Sequence, residues 1–351
     1  MNKKAKGGLI GRANCGRKAV VSESQSLKMT SNGKIFDFLE KRILNLARDW
    51  PVEMRKDFRN YIRRWPGPRR KSRHSSQPSS FGPYWLLIPR WLSLDINGRK
   101  NKKPISNGLL KEILCGQYYL FLAVRIQDDL YDGHIRSNSL IYVADQFIWG
   151  AEKIFRKHFD GESSFWHYYY GLLKETTDAI VKVAEIQKAK QADPDLLLDG
   201  YAGVAALFKI GLIAVCLKAG CRGRLAPLMK ASDNLAIAGQ IADDMLDIDD
   251  DLKRGQINYA VQVILHHRRS ISAHRADLSG MVREGIYYAD FINRLLSEIE
   301  TYLEMAQKSL ASIKQPAVEK YFHASFEAIA HALRKFHAER MKVIFGKLTG
   351  R

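Results

Sequence analysis

From Phe81 to the C-terminus, apolar residues recur at helical spacing, interrupted by capping residues and glycines and not by the two-residue alternation that strands need. This pattern constrains the chain to an all-α fold. Long helices are expected at about 106–132, 138–159, 163–191, 195–220, 224–251, 285–313 and 317–346, with Ser106, Asn138, Ser163 and Asp193-Pro194 as their starts. The stretch Leu196 to Leu217 is apolar enough for a membrane span, but Asp199 and Lys209 interrupt it, so it reads as a buried central helix. Gly200, Gly203 and Gly211 weaken that helix by about 1 kcal/mol each relative to alanine, which close packing or a kink must offset.

Two stretches precede this helical region. Residues 1–33 form a basic, acid-poor tail with no apolar core to make it a secretory signal. Residues 34–80 hold two amphipathic helices, the first stopped at Trp50-Pro51, and then a linker rich in proline, serine and arginine that opens at Pro66-Gly67-Pro68. Residues 81–351 are the expected catalytic unit. Four cysteines without a paired spacing point to a reducing, cytoplasmic setting. With 56 Lys and Arg against 37 Asp and Glu, the chain carries +19, which would favour peripheral contact with anionic membrane. A hydrophobic fraction of 46% and a mean hydropathy of −0.27 exclude a polytopic membrane protein and a wholly disordered chain.

Against this cationic background, two acidic clusters stand at the ends of apolar helices. Asp128 and Asp132 are four apart and share one helical face, with Arg125 one turn before and Arg136 one turn beyond if the helix persists. Asp243, Asp247 and Asp251 make a second row at the same spacing, with Gln240 one turn ahead and Lys253 and Arg254 just after. Like charges so spaced oppose helix formation, and carboxylates facing an apolar interior are costly to desolvate. A divalent cation removes both costs. The ligands are hard oxygens, which suit Mg²⁺ or Mn²⁺ rather than zinc, and Mg²⁺ is usually shared between a few carboxylates and substrate phosphates. Two facing aspartate walls therefore imply a diphosphate between them. A di-iron bundle would want Glu and Glu-x-x-His pairs instead.

On these residues the sequence resembles the class I isoprenoid synthases. Asp128-Asp129-Leu130-Tyr131-Asp132 is similar to that family's D-D-x-x-D, and Gln240-Ile241-Ala242-Asp243-Asp244-Met245-Leu246-Asp247 looks like the second aspartate motif of the trans-prenyl diphosphate synthases. Arg125 and the stretch from Asp247 to Ile257 resemble the squalene and phytoene synthase branch. The row Asp243, Asp247, Asp251 also has the spacing of the terpene cyclases' metal triad. The resemblance implies a single large antiparallel bundle of helices around a central apolar cavity, with about three Mg²⁺ held together with diphosphate. It implies metal contact at Asp128, Asp129 and Asp132 on one wall, Asp129 from behind the other two, and at Asp243, Asp247 and Asp251 on the other. Arg125, Arg136, Gln240, Lys253 and Arg254 become the diphosphate donors.

The sequence departs from the chain-elongating branch. The basic motif for isopentenyl diphosphate has only Gly98-Arg99-Lys100-Asn101-Lys102-Lys103 as its counterpart, and Gly203-Val204 stands where that branch has Lys-Thr. The expected activity is therefore a Mg²⁺-dependent terpene synthase. It would ionise one allylic prenyl diphosphate and let the cation cyclise or eliminate, with Phe121, Phe208, Tyr119, Trp166 and Tyr169 as aromatic faces for it. The alternative is a prenyltransferase of head-to-head or elongating type. A second alternative is a non-enzymatic basic helical protein that binds membrane or nucleic acid. No nucleic-acid motif supports that last reading, and none is expected as a partner. The resembled enzymes are commonly homodimers, which is the assembly the resemblance implies here.

Overall fold

A computed structural model describes residues 22–64, 84–98, 103–131, 133–188, 194–269, 289–313 and 316–320, with 322, 323, 327 and 338. Twelve α-helices lie in order along them: α1 Ser22–Leu46, α2 Val52–Arg64, α3 Ile88–Asn97, α4 Asn107–Tyr131, α5 Ser139–Arg156, α6 Ser164–Lys188, α7 Pro194–Val204, α8 Ile210–Lys218, α9 Leu225–Leu246, α10 Ile248–Arg254, α11 Tyr259–Arg269 and α12 Ala289–Ala311. No strand occurs among the described residues. The helix expected at 317–346 falls largely outside them, as does the basic loop at 66–80.

The expected starts act in different ways. Ser106 Oγ accepts the Leu109 N–H at 3.2 Å and Ser163 Oγ that of Phe165 at 3.3 Å, so both cap their helices. Asn138 precedes α5 without a side-chain capping bond. Pro194 occupies the first position of α7, where its missing N–H costs nothing. The tail expected over 1–33 is shorter than its composition suggests, because α1 is already helical from Ser22.

α4 and α5 pack along each other, as do α9 and α12, while α6 lies against α7. α4 is deeply set: Ile113, Leu114, Leu120, Leu122, Ala123 and Ile126 are all at or below 1% exposure. The N-terminal helices, set apart in the sequence, share this core. Trp50, Phe58 and Phe147 form an edge-to-face trio with centroids 5.3–5.5 Å apart, tying α2 to α5. Such pairs add about 0.5–1.5 kcal/mol beyond the area they bury, so Phe58→Ala is expected to cost about 3–5 kcal/mol.

The apolar stretch after Pro194 is not one helix. It breaks at Ala205 into α7 and, after a 3-10 turn at Ala206–Lys209, α8, with a 40° bend between the two parts. Its core side chains Leu197, Leu207, Ile210 and Ile213 are buried, and no single described helix is long and apolar enough to cross a membrane. The glycines are accounted for by both devices expected of them. An added Cβ on Gly203 would lie 2.7 Å from Cβ of Ala179 on α6. On Gly211 it would collide with Oε1 of Gln117 and come within 2.8 Å of Cγ of Pro89. Lys209, buried at the bend, is neutralised by Asp233 at 2.6 Å and Glu175 at 3.8 Å.

Candidate active site at two aspartate-bearing helix ends

α4 carries its apolar side chains into the core and ends in polar ones. Arg125 reaches forward along its own helix, with Nη1 3.6 Å from Asp128 Oδ2 and Nη2 3.1 Å from Asp129 Oδ1. Asp129 is nearly closed off from solvent. Its Oδ2 accepts the Tyr61 hydroxyl at 2.8 Å, and its Oδ1 also meets His134 Nδ1 at 3.3 Å. Burial, and after it the Asp129 charge, push the Tyr61 phenol up, so it stays a donor. Asp128 is half-buried.

α4 stops at Tyr131. The Gly133 N–H returns to Leu130 O at 3.2 Å and the Ile135 N–H to Asp129 O at 3.2 Å, with Gly133 at φ 73°, a conformation that favours glycine. Arg136 therefore lies beyond the helix, exposed, and not one turn further along it as the spacing had suggested. Asp132 lies outside the described residues, as do 99–102 of the proposed basic motif.

The second wall is built at a junction. The row Asp243, Asp247, Asp251 does not run along one helix, because α9 ends at Leu246 and α10 starts at Ile248, with Asp247 between them at φ −98°, ψ 5°. The 2.9 Å bonds from Asp247 N to Asp243 O and from Asp251 N to Asp247 O carry the helical spacing across the break. The crowding of carboxylates at i,i+4 is a physical reason for a helix to yield there.

Asp244, 3% exposed, is held by neutral donors: the Tyr201 hydroxyl, Gln240 Nε2 at 2.9 Å and the Tyr259 N–H at 2.8 Å. Gln240, expected to approach the diphosphate, thus spends its amide on Asp244. Asn258 Nδ2 donates to Asp244 O and to Asp251 Oδ2, each at 2.8 Å, while Arg254 Nη1 stands 3.6 Å from Asp251 Oδ1. Lys253 and Arg254 are exposed at the end of α10, and Asp247 is exposed at the junction.

Arg125 links the two walls electrostatically. Its charge reaches Asp243 as well as Asp128 and Asp129, and the attraction is reciprocal. Even so, burial first, then Asp247 and Asp244, push the Asp243 carboxyl up to about 7. Burial pushes Asp244 up to about 7 as well, against the pull of its donors. A cation between the walls would relieve this. Among the described residues, no three His, Cys, Asp or Glu side chains converge on one point, so a metal here would be shared between few carboxylates and a ligand's oxygens.

Below the carboxylates the surfaces turn apolar. Phe121 lies two turns before Asp128 on the same face of α4 and packs against Phe208 at 5.6 Å, both half-buried. On α9 the face below Asp243 carries Gly239 and Ala236, both half-buried and small. The other aromatic candidates pack elsewhere: Tyr119 on Phe147, and Trp166 and Tyr169 with Phe155 and Phe165.

The same architecture occurs in solved structures. A decaprenyl diphosphate synthase from Rhodobacter capsulatus superposes with a TM-score of 0.66 at 12% identity, over 86% of this chain and 98% of the other. A geranylgeranyl pyrophosphate synthetase from the archaeon Geoglobus acetivorans gives 0.63 at 14%, over 84% and 98%. A polyprenyl synthase from Caulobacter crescentus CB15, complexed with calcium and isoprenyl diphosphate, gives 0.62 at 15%, over 87% and 95%. This chain has the isoprenoid synthase fold. No protein-family profile and no curated protein sequence matches it.

Within this isoprenoid synthase fold, the structure adds residues that sequence reasoning missed. Tyr61, His134, Tyr201, Asn258 and Tyr259 all bond an aspartate of the two motifs or its backbone. Only Asn258 had a local signal, as the residue that caps α11 through Val261 N at 3.0 Å. Tyr61 had none, being 68 residues from its partner and in a segment assigned outside the catalytic unit.

Proposed function

We propose that this chain is a metal-dependent prenyltransferase acting on allylic prenyl diphosphates, of chain-elongating or head-to-head type. The observation that carries the proposal is that the charge of Arg125, at the end of α4, acts on aspartates of both clusters, with Phe121 two turns back on α4 packed against Phe208. The names of the solved structures that share the fold support it, and they favour transfer over the terpene synthase expected from the sequence. The residues suit Mg²⁺ held by Asp128 on one wall and by Asp243 and Asp247 on the other, with Asp132 and Asp251 as further ligands. Bound there, the metal would neutralise charge on a departing diphosphate.

The chain's own groups have separate tasks. Arg125 offers a planar donor pair to diphosphate oxygens, and its contacts to Asp128 and Asp129 aim it. Phe121 and Phe208 keep water from the allylic end and present aromatic faces to positive charge. Lys253 and Arg254, exposed at the end of α10, guide the anion inward.

A second reading, a terpene synthase, is favoured by one observation. Gly203, where elongating synthases have the Lys of Lys-Thr, has no room for a side chain, so that position offers no cation to a diphosphate. Product analysis decides between them. The purified protein with Mg²⁺ is given C10 to C20 allylic diphosphates, each with and without isopentenyl diphosphate. Condensed chains support the transferase, whether elongated or joined head to head. Hydrocarbon or alcohol from a single allylic diphosphate supports the second reading. No turnover, together with no Mg²⁺-dependent binding of inorganic diphosphate, overturns both.

A further inference from the structure

Helix α2 makes two contacts with the first aspartate motif that neither its position in the sequence nor its basic composition announces. Its residues Asp57 and Tyr61 are four apart and so share one face. Tyr61 donates to Asp129 Oδ2 at 2.8 Å. Asp57 Oδ2 accepts the hydroxyls of Ser137 and Ser139, each at 2.6 Å. The two serines bracket the entry to α5, at the far end of the short segment that leaves the motif. α2 therefore grips the motif at both ends, at its central carboxylate and at its exit.

We infer that Asp57 and Tyr61 are positioning residues, and that α2 sets the geometry with which the first aspartate wall binds metal and diphosphate. The inference rests on the function proposed above. The chain of contacts is short: Tyr61 fixes one oxygen of Asp129, the other oxygen holds Arg125 Nη2, and Arg125 Nη1 faces Asp128. Without the phenol, Asp129 loses the bond that fixes its carboxylate plane, and the Arg125 that it orients is released with it. Groups that orient a metal ligand typically change metal affinity or turnover by about 10–100-fold when removed. Tyr61 is itself anchored, since its neighbour Phe58 locks α2 onto α5 through Phe147. Hydrogen bonds from Ser137 and Ser139 hold the Asp57 carboxyl below its usual range, so it remains an acceptor at neutral pH.

The test uses the full-length chain and two near-isosteric variants, Tyr61→Phe and Asp57→Asn. Calorimetry gives the affinity for inorganic diphosphate and the Mg²⁺ concentration that half-saturates its binding, and kinetics gives kcat and KM separately. Tyr61→Phe is expected to raise the Mg²⁺ midpoint by about tenfold or more and to lower kcat with little change in KM. Asp57→Asn should act in the same direction and less strongly, because the segment it holds is further from Asp128. A purely structural role would lower the melting temperature of both variants and leave the Mg²⁺ midpoint and kcat where they are, and that result overturns the inference. If wild-type protein itself shows no Mg²⁺-dependent diphosphate binding, the proposed function fails and the inference with it. Wild-type binding with unaltered variants sinks the inference alone.

Discussion

The two aspartate walls are built alike and balanced differently. In each, the second aspartate of an Asp-Asp pair accepts a tyrosine hydroxyl from another helix, Tyr61 to Asp129 and Tyr201 to Asp244, which leaves the first aspartate toward the gap. The first wall carries its own cation, Arg125, in contact with both of its aspartates. In the second, the donors to Asp244 among the described residues are neutral and the charge that offsets Asp243 comes across from Arg125, while the wall's own Arg254 stands by Asp251 at 3.6 Å. The difference identifies the Asp243–Asp244 pair as the electrostatically incomplete part of the site. An external divalent cation gains most there.

The largest expected effect is on turnover, and it comes with different effects on stability. Asp128→Asn and Asp243→Asn should each lower kcat at least about 100-fold, since under the proposed function each removes a direct metal ligand, where even supporting partners cost about 10–100-fold. In metal-free buffer they should part company. Asp243→Asn removes a desolvated charge that has two like-charged neighbours, so its melting temperature should rise above wild type. Asp128→Asn leaves Arg125 with one partner fewer and should gain nothing. Thermal melts of both proteins in chelator check this, and equal shifts would show that the walls are equally balanced.

A pH titration sharpens the same contrast. Asp243 and Asp244 have folded values pushed up to about 7 against an ordinary 3.8. The folded state then holds protons that the unfolded chain has released. Stability from these groups is complete below the unfolded value and is lost as pH rises through about 7. Each unit of elevation is worth about 1.4 kcal/mol, so between pH 4 and 8 metal-free protein should lose up to about 4 kcal/mol for each of the two groups. Saturating Mg²⁺ with inorganic diphosphate should flatten this slope by competing with the protons. Denaturant melts across the range, with and without Mg²⁺ and diphosphate, measure it, and a slope indifferent to both would break the comparison.

How much of this was legible in the sequence follows the range of the interactions involved. The helical period, the caps at Ser106 and Ser163 and the glycines needing close neighbours are written within a few residues of each other, and all of them hold in the structure. The break at Asp247 was hidden because the i,i+4 row reads the same on one helix or across a junction. Tyr61 and Tyr201 were hidden for a different reason. Each meets its aspartate from 68 and 43 residues away, and nothing local marks a tyrosine whose hydroxyl will be spent on a distant carboxylate. The one long-range relation that the sequence suggests, two acidic clusters sharing one site, is suggested because each row of like charges is costly on an apolar helix.

Tyr201→Phe probes the neutral half of the comparison. It strips a buried donor from Asp244 and should cost about 1–3 kcal/mol, the range for leaving a buried acceptor short of a partner. The loss should be larger at pH 8 than at pH 5, because protonation of Asp244 removes its need for donors. An equal loss at both would mean that Asp244 is ionised throughout.

The smallest effect belongs to Asn258, which ties the junction together. Its amide links the Asp244 carbonyl of α9 to the Asp251 carboxylate of α10, and its side-chain oxygen caps α11. Asn258→Ala deletes these bonds at once, yet the site lies beside solvent-reachable Asp251, so water replaces part of what is lost. A cost of about 1–2 kcal/mol is expected, near that of one helix cap. The informative companion is Asn258→Asp, which keeps the cap on α11 and places another negative charge against Asp251. If Arg254, 3.6 Å from Asp251 Oδ1, does not offset the added charge, this variant should be less stable than Asn258→Ala in chelator and should recover most of the difference when Mg²⁺ and diphosphate are added. Were Asn258→Asp the more stable of the two without metal, Arg254 would be offsetting both carboxylates, and the electrostatic deficit of the second wall would be confined to Asp243 and Asp244.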